Sequence, residues 1–298
     1  MKSILERIKN GEILLGDGAI GTQIQKYYSG DMGVPELFNV EAPEIIERIA
    51  SEYFKAGSQL IETNTFGGSV VKLGDSGNSE RVDELNSTGV SIVKNITKNN
   101  AYISGSVGPS GKLLEPMGDG DPEVIKDGFK KQIKVLIESG IDVICIETMI
   151  DLQEAILAIE ATREISKTIP IITTMTFNKT PRGFFTVMGN SIEAVSSELE
   201  EAGANIIGSN CGNGFEKMVE IAKEFKKYSN LPIIIQSNAG QPVNKNGEAV
   251  YLETPEFFAE KAKELIDIGV SIIGGCCGTT PEHITAIKNV IDNYKKKE

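Results

Sequence analysis

The sequence predicts a (β/α)8 TIM barrel built as a single domain over residues 1–298, and three observations carry that prediction. Eight short runs rich in Ile and Val are spread along the chain, each almost continuously apolar, as strands buried on both faces are. Amphipathic stretches with apolar spacing near 3.6 alternate with them. The phrases KAGSQLIET, ESGIDVICIET, EAGANIIGSN and DIGVSIIGG repeat one grammar at every second unit: helix end, glycine cap, short turn, buried strand. Eight β-α units, with no G-x-G-x-x-G after the first strand, favour a closed barrel over an open doubly wound sheet.

In chain order, the first strand is EILLG (12–16), and the helix PEIIERIASEYFKA leads from it to SQLIET (58–63). SERVDELNSTGVSIVKNI precedes AYISGSV (101–107), and PEVIKDGFKKQIKVLIES precedes DVICIET (142–148). DLQEAILAIEATREI leads to IPIITTM (169–175), SIEAVSSELEEA to NIIGS (205–209), and FEKMVEIAKEFKKY to LPIIIQS (231–237). PEFFAEKAKELIDI precedes the last strand, SIIGG (271–275), and PEHITAIKNVIDNY closes the pattern before a frayed KKKE end. Pro or an N-cap residue opens several of these helices.

Composition narrows the function. Hydrophobic residues are 40% of the chain, enough for a sizeable core, and no run approaches the roughly 20 apolar residues of a membrane span. MKSILERIKNGE is too charged for a signal peptide, so the expected compartment is the cytoplasm, with no membrane partner. Thiols stay reduced there, and four cysteines point to metal binding or catalysis before disulfides. A net charge of −12 argues against nucleic acid. The single histidine, His283, excludes a His-rich metal cage and reads as a helix-cap or surface residue.

In such barrels the chemistry sits at the C-terminal ends of the strands. Three cysteines lie there, Cys211 in GSNCGNG and Cys276 and Cys277 in GGCCGTTP, while Cys145 lies inside the fourth strand and reads as core. Strands six and eight are next-but-one neighbours, so the three thiols can converge above strand seven, with Gly275 and Gly278 bending the backbone so that both adjacent cysteines reach one ion. Three thiolates with one open position fit a catalytic zinc site, and the amide oxygen of Asn238 is placed to fill that position without substrate. The rival reading of GGCCGTTP is a phosphate loop at a helix N-terminus, although it holds no Lys or Arg. Glu147 shares a strand face with Val143 and Cys145, hence the barrel interior; it is either a hydrogen-bonded structural residue or a receptor for a substrate cation. Asp17 is either a turn residue or a second such receptor.

Taken together, GDGAIGT, IETNTFG, GSVGPSG, IET, GSNCG, SNAGQP and GGCCGTTPEHI resemble, in order, the signatures of the zinc-dependent homocysteine S-methyltransferases over about residues 10–290. The wording is most similar to the homocysteine-binding barrel of cobalamin-dependent methionine synthase. The resemblance implies Zn²⁺ on Cys211, Cys276 and Cys277. It implies homocysteine as methyl acceptor, its amino group near Glu147 and Asp17 and its carboxylate on backbone amides around Gly18 and Ala19. Asn238 matches the position that caps the metal in the substrate-free state.

The expected reaction is methyl transfer to the homocysteine thiolate, giving methionine, with Glu147 and Asp17 orienting the substrate. No folate, cobalamin or reactivation module follows the barrel in this sequence, so the expected donor is methylcobalamin, free or on a separate corrinoid protein that meets the loops bearing Phe66 and Met117. Alternatives are S-methylmethionine or S-adenosylmethionine as a small donor, a subunit with little activity of its own, and a phosphate-binding barrel without zinc. The absence of Trp weighs against betaine.

Overall fold

The computed structural model describes residues 1–245 and 248–294; the KKKE end lies outside the described residues. Eight strands form one parallel sheet: β1 Leu14–Leu15, β2 Leu60–Glu62, β3 Tyr102–Val107, β4 Val143–Met149, β5 Ile171–Met175, β6 Ile206–Asn210, β7 Ile233–Ser237 and β8 Ile272–Gly275. Eight helices cover it: α1 Pro43–Ala56, α2 Val82–Thr97, α3 Pro122–Ser139, α4 Leu152–Ile165, α5 Ile192–Ala202, α6 Phe215–Tyr228, α7 Pro255–Ile268 and α8 Pro281–Asn293. The repeated grammar has a direct structural cause. Gly57, Gly140, Gly203 and Gly269 end α1, α3, α5 and α7 with φ between 88° and 106°, a left-handed cap that turns the chain back into the next strand.

Ladders join the strands in the order β1-β8-β7-β6-β5-β4-β3-β2. The β1–β2 seam is held differently. One backbone bond, Gln59 N to Leu15 O at 2.8 Å, is joined by side chains: Gln59 Oε1 accepts from Leu15 N, Ser58 Oγ donates to Gly16 O, and Asp17 Oδ2 accepts from Glu62 N. This seam shortens β1 to two residues against the five predicted, because its outer edge has no ladder to extend it.

Period-two alternation divides the barrel interior into an apolar floor and a polar upper layer. Leu14, Leu60, Tyr102, Val143, Cys145, Ile172, Ile206, Ile234 and Ile272 form the floor, closed from below by Ile4 of the helix Ile4–Lys9. Cys145 is fully buried there, as expected of a core thiol. One step up the same strands, Glu62, Ser106, Glu147, Thr174, Asn210 and Gln236 are buried polar residues. Two small antiparallel hairpins, Asn178–Thr180 with Gly183–Phe185 and Val243–Lys245 with Glu248–Val250, decorate the loops after β5 and β7 and had no counterpart in the sequence reading.

His283 is a cap residue, but buried rather than superficial. Its Nδ1 accepts from Thr280 N at 3.2 Å, which leaves Nε2 to donate to Glu253 O at 2.9 Å. Burial lowers its pKa, so the stability it contributes is present above the ordinary histidine range and is lost as pH falls through the lowered value. His283→Gln preserves a cap at this position. Between pH 7.5 and pH 5 its melting temperature is expected to fall less than that of the wild type, by about 2 °C or more; thermal melts across that range check this.

Candidate active site

The end of β7 is the scaffold for both cysteine loops. Cys211 N donates to Gln236 O at 3.2 Å and Cys276 N to Ser237 O at 2.7 Å, while Ala239 N donates to Cys277 O at 2.9 Å. Three positive-φ residues bend the loops: Cys211 itself at φ 58°, Gly212 at φ 68° and Gly278 at φ 79°. The sulfurs of Cys211, Cys276 and Cys277 lie within 4.8 Å of one another, with Cys211 Sγ and Cys277 Sγ 3.9 Å apart. Both adjacent cysteines therefore come to one cluster; of the two glycines expected to bend the backbone, Gly278 does so, whereas Gly275 ends the strand in ordinary extended conformation.

Hydrogen bonds from Cys276 and Cys277 pull the Cys211 thiol down to about 3, while the contact with Cys211 pushes Cys276 up and Cys277 up to about 11. A tetrahedral ion with thiolates at about 2.3 Å has sulfur–sulfur edges of about 3.8 Å, and the 3.9 Å edge meets that requirement. The amide of Asn238 reaches Cys211, and its Oδ1 is buried without a hydrogen-bond partner among the described residues. The donor set suits a soft divalent ion.

Cys211, Cys276 and Cys277 open onto a cavity of about 270 Å³ whose wall also carries Gly18, Ala19, Glu62, Phe66 and Glu147. No Lys, Arg or His lines it among the described residues. Glu147 accepts from Ser106 Oγ and from Asn210 Nδ2, and Glu62 accepts from Gln236 Nε2 at 2.9 Å. Burial raises both carboxyls, and the charge of Glu62 raises Glu147 further, so the two together favour sharing a proton. The structural alternative for Glu147, a satisfied core residue, is only half met: it is hydrogen-bonded, yet it lines the cavity.

Asp17 stands one layer back, its carboxylate spent on the β1–β2 seam, and it does not line this cavity. Two further carboxylates stand on the wall, Glu36 and Glu62, and the sequence reading passed over both, although Glu62 shares its strand face with Leu60; Glu36 accepts from Gly67 N. Ala19 N already donates to Thr279 Oγ1 at 3.1 Å, so of the two amides expected to meet a carboxylate, that of Ala19 is engaged. Tyr251 was also missed. It packs on Gly278 and its hydroxyl bonds Cys277, and burial next to these thiols raises it to about 12.

The fold and the site define a class: a (β/α)8 barrel with a trithiol centre and buried carboxylates sharing one cavity at its C-terminal mouth. Residues 14–291 match the homocysteine S-methyltransferase family, and the chain belongs to that family. It is 31% identical over 303 residues to methionine synthase from Mycobacterium tuberculosis, covering 96% of this chain and 25% of that protein. Against methionine synthase from Mycobacterium leprae the identity is 31% over 292 residues, with coverage of 92% and 24%. The chain thus spans about a quarter of these relatives' length. Its fold matches the crystal structure of the metallated homocysteine methyltransferase MmuM from Escherichia coli with a TM-score of 0.80, at 20% identity over 96% of this chain and 99% of that one.

Proposed function

We propose that this chain transfers a methyl group to the thiolate of L-homocysteine, giving L-methionine, with zinc held by Cys211, Cys276 and Cys277. The observation that carries the reading is the shared cavity. A trithiol centre and the buried carboxylates Glu36, Glu62 and Glu147 face one space with no basic side chain among the described residues, which suits a substrate with a thiol at one end and an ammonium at the other. Zinc, when bound, keeps the substrate thiol deprotonated at neutral pH and leaves it nucleophilic. Glu147 and Glu62 receive the ammonium and give up the proton they share. Asp17 holds Glu62 in place from behind by accepting from its backbone N–H. The substrate carboxylate lies against the Gly18–Ala19 turn, on amides other than the one Thr279 occupies. Asn238, whose buried Oδ1 has no hydrogen-bond partner among the described residues, would supply a further oxygen donor to the metal. The sulfur then attacks the methyl carbon: the S–C bond forms as the donor–methyl bond breaks, and the electron pair stays with the donor.

The donor we favour is methylcobalamin, free or on a separate corrinoid protein. Supporting it, the mouth exposes the apolar side chains Phe66, Leu113 and Met117, the last 71% accessible, as a surface for a bulky donor to cover. The whole-length fold match to a homocysteine methyltransferase favours a second reading, a small donor such as S-methylmethionine or S-adenosylmethionine bound directly. No helix among the described residues is long and apolar enough to cross a membrane, and four free cysteines fit a reducing cytoplasm.

A donor screen separates these readings. With homocysteine as acceptor, methylcobalamin is expected to support methionine formation, and betaine is expected not to. Turnover with S-methylmethionine or S-adenosylmethionine alone removes the corrinoid. No methionine from any donor, with zinc bound, counts against the isolated chain as a catalyst.

A further inference from the structure

The mechanism leaves one fully buried residue unused. Asn210 is the last residue of β6, beside Cys211, and it fills every hydrogen-bonding position of its side-chain amide. Its Oδ1 accepts from Thr148 N at 2.8 Å and from Thr174 Oγ1 at 2.9 Å. Its Nδ2 donates to Thr148 Oγ1 at 2.8 Å and to Glu147 Oε2 at 3.1 Å. The backbone on both sides of this amide is in an unusual state. Thr148, a β-branched residue, has φ 59°, and Cys211 has φ 58°. Left-handed backbone at such residues persists only where the surroundings hold it. The kink at Thr148 falls where the register of β4 against β5 shifts between Ile146 and Met149.

We propose that Asn210 is a positioning residue that fixes the aim of the Glu147 carboxylate relative to the Cys211 sulfur, and so sets the length of amino-acid thiol the cavity accepts. This rests on the homocysteine reading above. One amide bridges the two strands whose ends bear those groups, and its N–H is the donor that orients Glu147 from the Cys211 side. An acceptor in its place would turn toward a carboxylate and lose both donations.

The test uses the zinc-loaded full chain and compares wild type, Asn210→Asp, Glu147→Gln and the exchanged pair Glu147→Gln/Asn210→Asp. Homocysteine affinity is read by titration calorimetry, KM and kcat by methionine formation, and zinc by metal analysis. Asn210→Asp is expected to keep its zinc and the KM for the methyl donor while the homocysteine KM rises about tenfold or more, the range for groups that orient a ligand from behind. In the exchanged pair the amide now on β4 donates to the carboxylate now on β6, so its loss is expected to be smaller than the product of the two single losses. Should Asn210→Asp fail to fold, the exchanged pair is compared with Glu147→Gln alone: tighter homocysteine binding in the pair supports the role of Asn210, and binding no tighter than in Glu147→Gln overturns it. Unchanged homocysteine affinity in Asn210→Asp, or fully multiplicative losses, overturns the role of Asn210 alone. Zinc-loaded wild type that does not bind homocysteine overturns the parent reading, and this one with it.

Discussion

Cys276→Ala is expected to fold as the wild type does, to lose its zinc, and to turn over homocysteine at least about a thousandfold more slowly. Cys276 is half-buried beside Cys211 and Cys277, and the loop that carries it is tied to β7 through backbone atoms, so truncating the thiol leaves the scaffold bonded. What goes is one of three thiolate donors. Two thiols and an amide form a far weaker soft-metal site than three thiols do, and metal affinity at such centres rests on ligand count. A thousandfold loss corresponds to about 4 kcal/mol of transition-state stabilisation. Metal analysis should fall from about one zinc per chain to a small fraction, and circular dichroism should be unchanged. Full zinc content in this variant would contradict the assignment of Cys276.

Glu147→Gln is expected to separate binding from stability. Losing the charge that meets a desolvated ammonium costs about 3–5 kcal/mol, so the homocysteine KM should rise by about a hundredfold or more while zinc content stays near one. The fold should gain. Burial and the neighbouring Glu62 hold the Glu147 carboxyl well above its ordinary range. For an acid raised on folding, the stability it contributes is present at low pH and is lost as pH rises through the raised value. At neutral pH the folded protein therefore bears a strained carboxyl pair, and an isosteric amide relieves it. Ser106 Oγ can turn to accept from the new amide, and Asn210 Nδ2 keeps its acceptor. The variant should melt about 2 °C or more above the wild type at pH 8, and the advantage should shrink toward pH 5. Thermal melts at the two pH values, with homocysteine kinetics alongside, check both halves.

Much of this architecture was legible in the sequence, for physical reasons particular residues make plain. Strands covered on both sides leave uninterrupted apolar runs, so seven ladders could be anticipated from Ile and Val alone. The four glycine caps announced where alternate strands begin. Cys211, Cys276 and Cys277 could be placed because strand ends in a barrel share one mouth. Glu147 was found by counting alternate residues from Val143 and Cys145; the same count from Leu60 would have found Glu62. Asp17 was harder, because its place depends on the β1–β2 seam, where side chains stand in for a ladder. The kinks at Thr148 and Cys211 left no trace in the sequence, since neither is a glycine, and Asn210, which stands between them, was invisible without coordinates. The loop hairpins after β5 and β7 are too short and too exposed to mark themselves by apolar pattern.

The central claim is that homocysteine sulfur meets a metal held by three cysteines of this chain. X-ray absorption at the zinc edge, on protein with and without L-homocysteine, tests it most directly. The account predicts three sulfur ligands and one oxygen or nitrogen ligand in the resting protein, and four sulfurs once homocysteine is added. A shell dominated by nitrogen and oxygen, or a sulfur count that does not change when homocysteine binds, would contradict it.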